Sequence, residues 1–167
     1  MPDAVTREVR SRIMSGIRSK DTRIELEVRR RLFALGYRYR MHRKDLPGTP
    51  DIVFPKFRAA IFVHGCFWHY HGCHLSVVPQ TRRSWWLTKL SRTANRDFDA
   101  VSELRKQSWR VLVIWECAFR KPRINRCAAL DSIAIRAADF LNSTSELVEI
   151  PCPFDKSRFD SLFSLGS

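Results

Sequence analysis

A chain of 167 residues that is 44% apolar and 11% aromatic is long enough to enclose one core and too hydrophobic to remain disordered. Thirty lysines and arginines against 17 aspartates and glutamates leave a formal charge of +13, which points to a polyanionic partner, with nucleic acid the commonest. No apolar run is long enough to cross a bilayer, and Met1-Pro2-Asp3-Ala4-Val5 lacks the apolar centre of a signal peptide. The chain is therefore expected in the cytosol, without a membrane partner and with its five cysteines outside any disulfide framework.

In chain order, residues 6–18 are strongly basic and place Val9, Ile13 and Ile17 at helical spacing, which predicts an amphipathic arm within residues 1–20. Thr22 with Glu25 three positions later opens a helix whose apolar stripe, Ile24, Val28, Leu32 and Leu35, stops at Gly36. Pro47-Gly48-Thr49-Pro50 then breaks the pattern, and residues 51–54 and 59–64 read as a hairpin with a two-residue turn at Lys56-Phe57. The second strand is apolar on both faces and so belongs at the centre of a covered sheet. Residues 65–74 form a loop dense in Cys and His, helical patterns occupy 84–90 and 94–107, a buried strand covers 110–115, and a last helix runs from about 126 to 141. The result is an α/β chain, with one domain over 21–141 and a loose tail over 142–167.

Two groups of residues carry chemistry. Continuing the hairpin pairing outward from its turn sets Asp51 opposite Phe62, with Val63 and His64 immediately beyond. Pro50 restricts the backbone before Asp51, and a hard cation, Mg²⁺ by expectation, finds ligands in this carboxylate, the Val63 carbonyl and phosphate oxygens. The second group is Cys66, His71 and Cys73, with Cys117 following a strand able to pack beside the hairpin. Four soft or borderline donors suit a closed structural Zn²⁺ site, although spacing leaves His69 and His74 as competitors of His71. A Pro-Asp strand start followed about a dozen residues later by a polar strand end resembles the restriction-endonuclease-like nucleases. Their second strand normally carries an acid, one residue and then Lys, whereas this chain has Phe62-Val63-His64.

His64-Gly65-Cys66-Phe67-Trp68-His69, with His71 and Cys73, resembles the core of the very-short-patch repair endonucleases. The likeness extends over Met14-Ser15-Gly16-Ile17-Arg18, Lys20-Asp21-Thr22 with Glu25, Leu46-Pro47-Gly48 with Pro50-Asp51, Pro79 with Thr81-Arg82, Asn95 with Asp97, and Trp109-Arg110-Val111 to Trp115-Glu116-Cys117, and it fades beyond about Phe119. The resemblance implies a restriction-endonuclease-like domain, a central mixed sheet flanked by helices, with structural zinc at Cys66, His71, Cys73 and Cys117. It implies hydrolysis on the 5′ side of a thymine mispaired with guanine, the lesion left when 5-methylcytosine deaminates. Asp51 and the Val63 carbonyl would hold Mg²⁺, His69 would act as general base, His64 would serve the phosphate or leaving group, and Glu25 and Asp97 would orient the two histidines. The family commonly has Thr at position 63, but only the carbonyl is needed.

Two of these assignments have competing explanations in the sequence. Glu25 stands where a capping box needs it, whereas Asp97 shares a helical face with Val101 and Leu104, where an unpaired carboxylate is costly. Phe67, Trp68 and Trp86 suit wedging into a base stack beside a mismatch, with Met14 and Ile17 of the arm completing the wedge from the other groove. Trp85, Trp109 and Trp115 are expected in the core. The expected partners are duplex DNA with a T·G mismatch and mismatch-repair proteins, for a monomeric, nucleoid-associated protein. Two alternatives are a site-specific endonuclease of a restriction system acting on paired DNA and a zinc-stabilised DNA-binding module without catalysis. The last would have no need of Asp51, His64 and His69 together.

Overall fold

Six consecutive residues, Ala59–His64, all buried except the half-buried Val63, form the strand about which the chain is organised. The computed structural model describes Val9, residues 21–120 and residues 125–151. The expected arm with Met14 and Ile17, and the end of the expected tail, lie outside these residues. The described elements are α1 (Arg23–Ala34), β1 (Arg40–Met41), β2 (Ile52–Phe54), β3 (Ala59–His64), α2 (Arg83–Lys106), β4 (Arg110–Trp115), α3 (Arg126–Asn142) and β5 (Leu147–Ile150). They build a mixed α/β fold around one five-stranded sheet in the order β1-β2-β3-β4-β5. The first three strands pair antiparallel, and the last three pair parallel. β3 lies at the centre, where a strand apolar on both faces belongs.

The sheet separates two cores. On one face Val28 and Leu32 of α1 and Leu130, Ala137 and Leu141 of α3 meet Ile61, Leu112 and Ile114. On the other, Leu104 of α2 meets Phe62, Val111, Val113 and Trp115, together with Cys66 and Cys117. α1 starts as its sequence predicts, because the Thr22 side chain accepts a hydrogen bond from the Glu25 amide and donates its hydroxyl to the Glu25 carboxylate at 2.8 Å.

The structure differs from the sequence reading in four places. The hairpin turn is a 3₁₀ turn, Pro55–Phe57, closed by Arg58 in the left-handed region at φ 45°; the expected register survives, with Ile52 opposite Ile61. The two helical patterns at 84–90 and 94–107 are one helix. The intervening Ser91 and Thr93 direct their hydroxyls to the carbonyls of Thr88 and Lys89 and leave the helix unbroken. Leu147–Ile150, within the stretch read as a tail, forms β5 on the edge of the sheet. Its alternation is short, so its assignment depends on the exposed edge of β4, which the sequence does not display. Trp109 and Trp115 are buried as expected, but Trp85 is 46% exposed.

Arg110 ties the end of α3 to the hairpin. Its guanidinium donates to the carbonyls of Phe140 (2.8 Å), Leu141 (3.0 Å) and Ser143 (2.6 Å), and to that of Phe57 (3.1 Å). A cation there also opposes the negative end of the α3 dipole. Arg110→Met is expected to cost about 1.5–3 kcal/mol, the range for hydrogen bonds to a charged group, as read from urea denaturation. A loss below about 0.5 kcal/mol would show that solvent replaces these bonds without penalty.

Candidate functional site

The Cys/His cluster assembles where β3 and β4 end. Their parallel register pairs His64 with Trp115, so the residues just beyond, Cys66 and Cys117, arrive together, and the Cys117 amide donates to the Cys66 sulfur at 3.3 Å. The loop after β3 folds back through the His71 amide, which donates to the Cys66 carbonyl, and through Ser76, whose hydroxyl donates to the same carbonyl at 2.8 Å. The His71 Nδ1 atom then lies 3.8 Å from the Cys66 sulfur and 3.5 Å from that of Cys117. With Cys73, the four candidate ligand atoms lie within 4.8 Å of one another. Burial pushes the Cys66 thiol up, and the neighbouring thiols add to the shift. Three sulfurs and an imidazole gathered in a buried space form a donor set that could hold a soft or borderline metal ion. Of the histidines that spacing leaves open, His71 joins this cluster, His69 turns away to Asp97, and His74 is exposed.

The second group surrounds a cleft of about 900 Å³ lined by Glu25, Asp51, Val63, His64, His69 and Asp97. The Val63 amide donates to the Asp51 carboxylate at 2.8 Å. Because a residue's N–H and C=O face the same neighbour in an antiparallel ladder, the Val63 carbonyl lies on that side too. Burial pushes the Asp51 carboxyl up to about 6; the bond from Val63 opposes the shift and the nearby Glu25 charge adds to it. An acid held this high will readily accept a cation's company.

Beside it, His64 and His69 stack in parallel, with centroids 3.8 Å apart and planes 4° from coplanar. Asp97 accepts from His69 Nδ1 at 2.6 Å, which leaves Nε2 as the basic nitrogen of the neutral ring. His64 is buried against Trp115 and Phe62, its Nδ1 has no hydrogen-bond partner among the described residues, and burial followed by the facing His69 holds its pKa well below the usual range.

Glu25 is tied differently. Among the described residues its carboxylate accepts from the Thr22 hydroxyl, the Asp21 amide and Arg29, rather than from either histidine. Arg29 is 3% exposed and reaches Glu25 (3.0 Å), Asp21 (2.5 Å) and, at 3.5 Å, the Asp51 carbonyl, with His42 also 3.1 Å away. The sequence reading missed this guanidinium. Its signal was present, since Arg29 lies one turn beyond Glu25 on the face that carries Val28 and Leu32.

Trp68 lines the cleft and joins Phe67 and Trp86 in a contiguous aromatic group with centroids 5.0–6.2 Å apart, in which Phe67 and Trp86 are half-buried against Tyr70, Val78 and Leu90. Trp85 extends it edge-on to Trp86 at 4.9 Å. The Lys89 ammonium lies over the rings of Trp68, Trp85 and Trp86 at 5.1–5.5 Å.

The sequence is similar to those of DNA-acting enzymes. A family model described as DNA mismatch endonuclease Vsr matches residues 2–75. The chain is similar to the type II nicking enzyme V.XorIIP of Xanthomonas oryzae pv. oryzae, at 49% identity over 117 residues that cover 70% of this chain and 86% of the relative. It is 42% identical over 120 residues to the DNA mismatch endonuclease Vsr of Escherichia coli, covering 72% and 77% of the two chains. To the type II nicking enzyme V.NmeAIP of Neisseria meningitidis it is 40% identical over 126 residues, covering 75% and 90%.

Because Asp51 titrates near 6 in the fold against 3.8 ordinarily, folding favours its protonated form. That preference is fully present below about pH 3.8 and is lost as pH rises through about 6. Asp51→Asn keeps an acceptor for the Val63 amide without the charge. It is expected to be more stable than the parent at pH 8 without added divalent cation, by up to about 3 kcal/mol at about 1.36 kcal/mol per pKa unit, and equally stable near pH 4. Urea denaturation at both pH values checks this, and a variant less stable at pH 8 would contradict it.

Proposed function

The chain belongs to the DNA mismatch endonuclease Vsr family, and from that premise we propose that it nicks one strand of duplex DNA on the 5′ side of the thymine in a T·G mispair, within a restriction-endonuclease-like fold. The observation that carries this reading is the single cleft shared by Asp51, the Val63 main chain, the stacked His64–His69 pair and Asp97, with aromatic rings at its rim. A zinc-stabilised module that only binds DNA needs none of those titratable groups, and the buried Asp51 charge would be a cost without return.

Mg²⁺ fits Asp51 because, among the described residues, the buried carboxylate has no direct cationic partner and has a main-chain carbonyl beside it. When bound by Asp51 and Val63, the ion would neutralise charge building on the scissile phosphate. The remaining work falls to this chain's own groups. His69 Nε2 accepts the proton of the attacking water, and Asp97 holds the ring in the required tautomer and stabilises the imidazolium that results. His64 stays neutral throughout, because burial and the neighbouring ring oppose its charge, and it can contact the phosphate or leaving group without repelling His69. Glu25 is held by Arg29 and its capping bonds, and orientation of the base belongs to Asp97. Phe67, Trp68 and Trp86 offer the surface for unstacking at a mispair, which opens more easily than a paired step. The expected contribution of Met14 and Ile17 from the arm remains part of this proposal.

Strand-specific nicking of T·G, other mismatched and fully paired duplexes of one sequence tests the reading. Cleavage confined to the thymine strand of T·G duplexes is expected, whereas equal cleavage of a paired duplex would make the chain a site-specific nicking enzyme. Asp51→Ala is expected to abolish nicking while leaving duplex binding in place. His69→Ala should lose about 10²–10⁴ in rate, the scale of a general base, and His74→Ala far less. Equal losses from the two histidine variants would remove His69 from its role.

Cys66, His71, Cys73 and Cys117 are proposed to hold structural zinc, for which their donor set and closure are suited. About one tightly held equivalent per chain is expected, and because such binding is coupled to folding, Cys117→Ser should lose both the metal and the cooperative unfolding transition. Cys127→Ser, altering an exposed thiol away from the cluster, should lose neither. Elemental analysis that found no zinc in the purified parent protein would refute the assignment.

A further inference from the structure

We infer that the exposed face of α2 running from Trp85 to Arg96 is a binding track for the phosphate backbone of the duplex flanking the cleft, with Arg92 and Arg96 as its principal contacts. The inference rests on the reading of the substrate as duplex DNA and names residues to which that reading gives no role. At about 100° per residue, Trp85, Lys89, Arg92 and Arg96 fall within about 60° of one another around the helix. They therefore form one stripe, about 17 Å long at about 1.5 Å per residue, which spans about five base-pair steps of a strand at about 3.4 Å each. Arg82 adds a cation at its start, 5.5 Å from the Trp85 ring, and Asp99 marks its other end. Asp97, the residue after Arg96, turns about 100° around the helix to reach His69. The stripe thus runs alongside the cleft.

Two observations set this face apart from a merely soluble basic surface. Arg82, Lys89, Arg92 and Arg96 are all exposed and none enters an ion pair among the described residues; other exposed arginines, Arg136 among them, are also unpaired, but these four cations lie together along one helix, without an intervening carboxylate on the stripe. An indole that is 46% exposed is set among these unpaired cations, beside a shallow concavity lined by Trp85, Lys89, Arg92, Asn95 and Arg96. A polyanion with apolar sugar edges matches both features, because guanidinium groups pair with phosphate oxygens and the indole covers the deoxyribose or an unstacked base.

The test is a salt titration of binding to a fluorescent duplex by the full chain, comparing the parent with the double variant Arg92→Gln/Arg96→Gln, with Trp85→Leu and with Arg136→Gln. Arg136 is an exposed cation on α3, across the sheet from α2. Each phosphate contact contributes about 0.9 to the slope of log affinity against log salt. The double variant is therefore expected to lose about 1.8 from that slope, and Trp85→Leu to lose about fivefold to tenfold in affinity at an unchanged slope. Arg136→Gln should bind as the parent does. Trimming the duplex from one end only should abolish the difference between the double variant and the parent. An unchanged slope in the double variant, or an equal fall in Arg136→Gln, overturns the inference while leaving duplex recognition standing. A parent protein with no salt-dependent duplex binding overturns both.

Discussion

Cys66 and Cys117 are 51 residues apart in sequence and meet because β3 and β4 run parallel in a fixed register. A parallel pair brings two carboxyl-terminal strand ends to the same edge of a sheet, and here the sulfur cluster and most of the cleft issue from that edge, with Asp97 and Glu25 supplied by the flanking helices. β3 delivers Val63 and His64 and then turns into the Cys66–Cys73 loop; β4 delivers Trp115 and then Cys117. The antiparallel partner β2 begins where β3 ends, so Asp51 arrives at the same place from the other direction. A one-residue slip of β3 would turn His64 and Phe62 to the opposite face and separate both groups at once. The sulfur cluster and the cleft are thus two products of one register, and a metal that pinned the first would also steady the second.

The cleft concentrates unfavourable electrostatics. A buried carboxyl is pushed up to about 6, a buried imidazole is held neutral, and a second ring is laid flat against it. Such groups are tolerated when the surroundings fix them, and the surroundings here are specific: an amide on Asp51, a carboxylate on His69 and a guanidinium behind Glu25. Arg29 deserves its burial on the same grounds. Alone it would be costly, but it is enclosed by the carboxylates of Glu25 and Asp21 and by the start of β2, and it joins α1 to the strand that carries Asp51.

Much of this was legible in the sequence, because the relevant signals are local. Thr22 and Glu25 announce the start of α1, the Pro-Gly punctuation and apolar runs mark β2 and β3, and the hairpin register follows from counting outward from its turn. The donor set of the cluster was legible as well, since cysteines closely bracketing histidines are a typical metal-ligand spacing. What sequence could not supply was direction. Spacing did not separate His71 from His69 and His74; the folding back of the loop onto the Cys66 carbonyl did. Nor could it place β5, whose assignment depends on the open side of β4, or show that Trp85 lies outside the core while Trp109 lies within it. These are properties of neighbours brought together by long-range pairing, and no periodicity encodes them.

The Lys89 ammonium, seated over three indoles, has a consequence for the protein when it is alone. Of these indoles Trp85 is exposed and Trp68 and Trp86 are half-buried, and accessible aromatic surface is ordinarily adhesive. A fixed cation above the rings answers this in two ways. It occupies their electron-rich faces at a worth of about 0.5–2 kcal/mol, and it gives every copy the same charge at the point where contact would begin. The rings thus lie under a positive charge, so the surface they present favours a negatively charged approach over a second copy bearing the same ammonium.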